Sequence, residues 1–240
     1  MLDWALLRTP LWKGLTPPMI IAIDGPAASG KSTVARAVAT RLGFAYLDTG
    51  AMYRAVAAEA LRRGMATDDR PALTELAKEL PLAFEHEGGS ALPTRVLAGG
   101  RDVTTEIRTP AVDAAVSPVS SIPGVREAMV RVQRDLAAAG DCVVEGRDIG
   151  TVVFPHAELK VYLSASPHER ARRRTADMER AGHDVSAEAV LRRLERRDTA
   201  DSTREASPLA VAHDAVEIDT TGLSVEQVVE CIAQLARARR

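Results

Sequence analysis

Aromatic residues are scarce in this 240-residue chain: Trp, Tyr and Phe together make up 3% of it. Its core must therefore come from Ala, Val, Leu and Ile, within a hydrophobic content of 46% that is ordinary for a globular protein. Asparagine is absent altogether, which removes every function that depends on an Asn side chain. No apolar run approaches the ~18–20 residues of a membrane-spanning helix. Charge of either sign is not in excess: the net charge of −2 excludes bulk attraction to nucleic acid or to an anionic membrane. There are two cysteines, Cys142 and Cys231, each in an apolar stretch with no metal-ligand neighbour. Both are expected to be buried free thiols, which suits a reducing cytoplasm. The five histidines show no metal-ligand spacing and are expected to be surface or structural. Lysine is nearly absent too, with four residues (Lys13, Lys31, Lys78, Lys160) among 31 cationic side chains. Any anion site must then be made almost wholly of arginine.

One of those few lysines sits in a demanding context. Gly25-Pro26-Ala27-Ala28-Ser29-Gly30-Lys31-Ser32, followed by Thr33, matches G-x-x-x-x-G-K-[ST]. The glycines allow backbone angles that a side chain forbids. Loop N–H groups can then surround a phosphate at the positive end of the following helix. Lys31 is placed to reach β- and γ-phosphates, and the Ser32 hydroxyl to ligate Mg²⁺. The apolar run 19–23 precedes the loop and the helically spaced 33–42 follows it, which is the strand–loop–helix setting this motif requires. Such a loop also serves GTPase switches and large ATPases. Without Asn, the Asn-Lys-x-Asp guanine reader of the switches is impossible. A kinase with a small second substrate fits best, and a nucleotide-dependent binding module is the alternative from another class.

The remaining pattern implies one α/β domain with a doubly wound parallel sheet of about five strands. Strands are expected at 44–47, 142–144, 159–163 and 215–218, with helices at 51–63, 125–139, 168–174, 187–197 and 224–237. Ser224 and Gln227 form a capping-box pattern at the last of these. Between residues 82 and 109 the character changes. Runs 94–98 and 101–104 flank Gly99-Gly100, a hairpin signal, so a small β insertion is expected. Residues 1–18 lack the apolar core and cleavage site of a signal peptide. They are read as a disordered extension outside the folded core, with Met19 a candidate start.

Four charged islands follow strand ends or sit on the insertion: 48–54, 125–128, 145–150, and Arg197-Asp198-x-x-Asp201-x-x-Arg204, the first and third at strand ends. Ligands of open α/β sheets bind at the carboxyl ends of strands. With the phosphate loop and the insertion, these islands resemble bacterial cytidylate kinases over nearly the whole chain from residue 19, most specifically in the run Gly146–Pro155. The resemblance implies an ATP-dependent CMP and dCMP kinase needing Mg²⁺, monomeric and cytoplasmic, with no nucleic-acid or membrane partner. It divides residues 19–240 into core (19–50, 140–167, 185–240), an acceptor-binding part with its insertion (51–139) and a lid (168–184). It implies that Thr49, Tyr53 and Arg54 border the acceptor phosphate and that Arg54, Arg147 and Arg204 hold it. Arg197 and Asp201 would hold the sugar, while Ser117, Arg126 and Asp148 would read cytosine. Arg170, Arg173 and Arg174 would belong to the lid and close over the ATP phosphates. Lys31, Arg147, Arg173 and Arg174 would carry the chemistry, and Glu145, with Ser32, would touch Mg²⁺ partly through water. Two positions depart from the family pattern: Thr49 stands where Ser is common, and Glu145 where Asp is common.

Overall fold

A computed structural model of the chain describes residues 18–86, 92–180, 182 and 184–240. The expectations placed on residues 1–17 and on His183 lie outside these. β1 (Ile20–Asp24) is the central strand of a five-stranded, all-parallel sheet. Its neighbours are β6 (Cys142–Glu145) on one side and β7 (Leu159–Ser164) on the other, with β2 (Ala45–Asp48) and β8 (Val216–Asp219) at the edges. Ile21 pairs with Val143 and Leu159 across the two central ladders. A parallel sheet is covered on both faces, and the strands carry apolar side chains both ways. Ile20 and Ala22 point into one core with Leu47, Cys142 and Val144. Ile21 and Ile23 point into the other with Tyr46, Val143, Leu159 and Val161.

Helices close each face. α1 (Lys31–Leu42) and α8 (Val225–Ala238) cover the second core. The first is covered by α2 (Thr49–Arg62), α3 (Arg70–Glu79), α4 (Pro110–Ser121) and α5 (Pro123–Ala137). α6 (Pro167–Arg180) and α7 (Ala187–Thr203) pair with each other, and Ala171, Val190 and Leu194 pack against Ala27 of the phosphate loop. The insertion is a separate antiparallel sheet of β3 (Leu82–Glu85), β4 (Arg95–Ala98) and β5 (Arg101–Asp102). Gly99 and Gly100 join β4 to β5 with φ of 59° and 77°, the left-handed pair that a two-residue hairpin turn requires. The Ser224–Gln227 capping box forms as expected.

One expectation fails. Cys142 is buried, and burial pushes its thiol up to about 12, but Cys231 is exposed. α8 turns Val228, Ile232, Ala233 and Ala236 inward, and Cys231 falls on the opposite side. An apolar neighbourhood in sequence does not fix a helix's phase. The contrast is testable. Ile232→Ala, at a fully buried position, should cost about 2–5 kcal/mol. Cys231→Ser should stay within about 0.5 kcal/mol of wild type. Urea denaturation midpoints measure both.

Candidate active site

The carboxyl ends of β1 and β6 open into a single cleft of about 1400 Å³. Gly25 leaves β1 with φ +148°, and a Cβ there would stand 2.1 Å from the Leu163 carbonyl oxygen, so the loop turns where no side chain fits. Ala28 also takes a positive φ, 59°, a strained conformation for a residue with a side chain. Lys31 is 6% exposed, and its Nζ donates to the Pro26 carbonyl at 2.6 Å. Burial, followed by the charge of Arg147, holds this amine well below the usual lysine range.

Glu145, at the end of β6, is the hub beside the loop. Oε2 accepts from the Ser32 hydroxyl at 2.9 Å, and Oε1 accepts from the Tyr46 hydroxyl. Its own carbonyl accepts from Thr49 Oγ1 at 2.7 Å. Burial, then the neighbouring Asp48, pushes the carboxyl up to about 7. Thus the longer side chain at this position is accommodated by two hydroxyl donors. A hydroxyl and a carboxylate are hard oxygen donors, the type Mg²⁺ takes. Among the described residues no group of three or more His, Cys, Asp or Glu could hold a metal.

Across the cleft, Arg126 and Asp148 form a buried ion pair, with Tyr53 stacked 5.2 Å from the Arg126 guanidinium. Arg204 Nη2 stands 3.6 Å from the other Asp148 oxygen. Arg147 Nε pairs with Asp201 at 2.9 Å. Arg197 is driven down to about 9, by burial and then by the Arg147 guanidinium. Arg197 Nε and Arg204 Nη2 are buried without a hydrogen-bond partner. Eleven Lys and Arg side chains line the cleft against eight carboxylates, a local positive surplus in a chain of net charge −2. The arrangement is fitted to polyanions.

Most of the residues expected from sequence meet here. Ala27 to Thr33, Thr49, Tyr53, Arg54, Ser117, Arg126, Glu145, Arg147, Asp148, Arg173, Arg174, Arg197, Asp201 and Arg204 all line the cleft. Gly25, Pro26 and Arg170 do not. Arg170 lies beneath the phosphate loop, donating to the Ala27 carbonyl at 3.2 Å and paired with Asp198. Arg173 donates to the Ser29 carbonyl and to Thr220. Arg174 faces Asp113 on the far wall instead. Sequence reasoning missed Asp113, Arg193, Tyr46 and Asp24. Asp24 closes β1, accepting from the Ile149 and Gly150 N–H groups at 2.9 and 2.7 Å. That pairing fixes the strand-end turn carrying Arg147 and Asp148. Its position after an apolar strand was the available signal.

A cytidylate kinase family model matches residues 21–238. This chain belongs to the cytidylate kinase family. It is thus a kinase of the nucleoside monophosphate class. It is 47% identical over 221 residues to the cytidylate kinase of Geobacter sulfurreducens, covering 92% of this chain and 94% of that one. Identity to the cytidylate kinase of Pelotomaculum thermopropionicum is 49%, covering 92% and 97%. Among solved structures, an uncharacterized protein from Eubacterium ventriosum shares the fold, with a TM-score of 0.50 at 14% identity, covering 92% of this chain and 99% of that one.

The buried Asp24 gives the family site a measurable signature. Burial is the main cause that raises its carboxyl from 3.8 to about 6, over the opposing pull of the Gly150 and Ile149 N–H groups. A folded-state value above the unfolded one means that stability is full below pH 3.8 and falls as pH rises to about 6. The loss is of order 3 kcal/mol at most. Asp24→Asn cannot titrate. In the nucleotide-free protein its stability relative to wild type should rise across this window, measured by denaturant unfolding at stepped pH. A difference that does not vary with pH would refute the assignment.

Proposed function

We propose that this enzyme transfers the γ-phosphoryl group of MgATP to CMP, and also to dCMP, giving CDP or dCDP and ADP. The observation that carries this reading is that the phosphate loop and the buried Arg126–Asp148 pair line the same cleft. One end suits a triphosphate. The other offers a donor and an acceptor to a flat base whose edge carries both. Asp148 can accept from the cytosine 4-amino group, while the carbonyl of uracil would face it as a second acceptor and be repelled. Ser117 lies on the same wall.

An acceptor phosphate oxygen attacks the γ-phosphorus of ATP as the bond to the β–γ bridging oxygen breaks, and that electron pair leaves with ADP. The attacking oxygen is already ionised near neutral pH, so no general base is required. Positioning and positive charge supply the catalysis. In this reading Arg54, Arg147 and Arg204 orient the acceptor phosphate, with Thr49 and Tyr53 at its border. Arg197 and Asp201 hold the sugar. Lys31, Arg173 and Arg174 neutralise charge on the transferring group, and the loop from Gly25 to Thr33 cradles the donor. Arg170 supports that cradle from beneath. Ser32, and Glu145 through water, would hold Mg²⁺, which when bound would supply positive charge to offset that of the phosphoryl groups. Residues 51–139 act as the acceptor-binding part and 168–184 as a lid that closes to keep water from the γ-phosphoryl group.

The setting we propose is a cytoplasmic monomer acting on small molecules, with no nucleic-acid or membrane partner. Among the described residues no helix is long and apolar enough to cross a membrane.

ADP release measured across CMP, dCMP, UMP, AMP and GMP tests the acceptor, with CMP and dCMP expected to stand well above the rest. Asp148→Asn should narrow the gap between CMP and UMP by about tenfold or more. An unchanged ratio would take Asp148 out of base recognition. Lys31→Ala should lower kcat by about 10²–10³-fold or more while CMP binding stays measurable by calorimetry. Normal turnover in that variant would sink the donor assignment.

A further inference from the structure

Four guanidinium groups converge on one carboxylate. Asp113 lies in the first turn of α4, where the helix's positive end favours a negative charge, and its side chain is 6% exposed. Arg54, from α2, donates to Oδ1 at 2.6 Å. Arg193, from α7, is in direct ion-pair contact with Oδ2. Arg174, from α6, stands 3.6 Å from Oδ2, and Arg197, from α7, 3.7 Å from Oδ1. The four arginines come from both walls: α2 on the acceptor side, α6 and α7 on the lid side. Asp113 itself has no part in the chemistry proposed above.

A carboxylate offers two oxygens and one negative charge, and each guanidinium offers five N–H donors. Asp113 therefore leaves the cluster short of both acceptors and charge. A phosphate monoester dianion brings three terminal oxygens and a second charge, in a geometry that suits forked guanidinium donors. The side chains of Arg174 and Arg193 are 39% and 49% exposed, so solvent can reach them and one anion can exchange for another.

We infer that Asp113 is a built-in stand-in for phosphate: in the nucleotide-free enzyme it occupies the arginine cluster, ties α6 and α7 to α4, and is displaced when a phosphoryl group enters. The identity of that group as CMP rests on the function proposed above; the competition itself does not. Apparent affinity for the entering anion is then lowered by the fraction of time the arginines are committed to Asp113. An Asp113 that instead held the arginines in place around bound substrate would have the opposite effect.

The test is calorimetric titration of wild type, Asp113→Asn and Asp113→Glu with CMP, alongside thermal shift with inorganic phosphate. With the arginines committed to Asp113 nine-tenths of the time, the Asn variant should bind CMP about tenfold more tightly. It should also gain more stabilisation than wild type from the same phosphate concentration. Its thermal midpoint without ligand should be lower, because the four guanidiniums lose their shared anion. Asp113→Glu, which keeps the charge, should bind CMP no more tightly than wild type. Equal or weaker binding of both CMP and phosphate by the Asn variant overturns the inference. Tighter phosphate binding with no CMP binding by either protein upholds it and overturns the acceptor assignment. Should the Asn variant not fold, the ¹³C shift of the Asp113 carboxyl in wild type decides. It should move on saturation with CMP or phosphate, and an unmoved resonance overturns the inference.

Discussion

The cleft is organised around a deficit of negative charge. Guanidiniums from α2, α5, α6 and α7 and from the turn after β6 face too few carboxylates, and Arg126, Arg197 Nε and Arg204 Nη2 are buried. Like charges drawn out of water repel strongly unless an anion or hydrogen bonds offset them. The protein answers locally, with Asp148 between Arg126 and Arg204, Asp201 on Arg147, and Asp113 among four arginines. These pairs link the elements that line the cleft. Asp148 and Asp201 hold Arg126 and Arg147 in place, which lowers the cost of ordering those two around substrate.

The donor side is built on a different principle. There the backbone matters more than side-chain charge. β1 must be followed by a residue without a side chain because the Leu163 carbonyl occupies the space, and the loop takes strained angles at Ala28. The loop is then held from outside. Arg170 and Arg173, on successive turns of α6, donate to the Ala27 and Ser29 carbonyls. Asp198 of α7 accepts from the Ala27 N–H at 3.4 Å. The same two helices therefore set the loop's shape and carry the arginines of the opposite wall.

Much of this was legible because it is local. The phosphate loop is one contiguous run, and strand–loop–helix spacing identifies its context. β1 and β6 begin as continuous apolar runs because both faces of the sheet are covered, and β7 is interrupted by the buried Lys160, which pairs with Asp214. The Gly99–Gly100 turn declares itself because so few residues adopt its angles. What was not legible comes from convergence across the chain. Asp113 and Arg193 lie 80 positions apart, and nothing near either one signals the other. Tyr46 reads as an ordinary strand aromatic until β2 and β6 pair in register and bring its hydroxyl to Glu145. The helices α3 and α4 flank the β insertion on either side, were not legible in the sequence, and pack into the first core with α2 and α5.

Arg170 and Arg174 show how far helical phase divides residues that look alike in sequence. They sit one turn apart in a basic run of α6. Arg170 turns inward, is 7% exposed and is spent on the loop backbone and Asp198. Arg174 reaches the opposite wall and Asp113. Arg173, between them, touches both the loop and Thr220 at the end of β8. A helix whose first turns are bonded to the phosphate loop cannot move independently of it. Any shift of α6 therefore carries the phosphate loop with it, and, on the inference drawn above, the carboxylate that Arg174 meets across the cleft is the contact an incoming phosphate would replace.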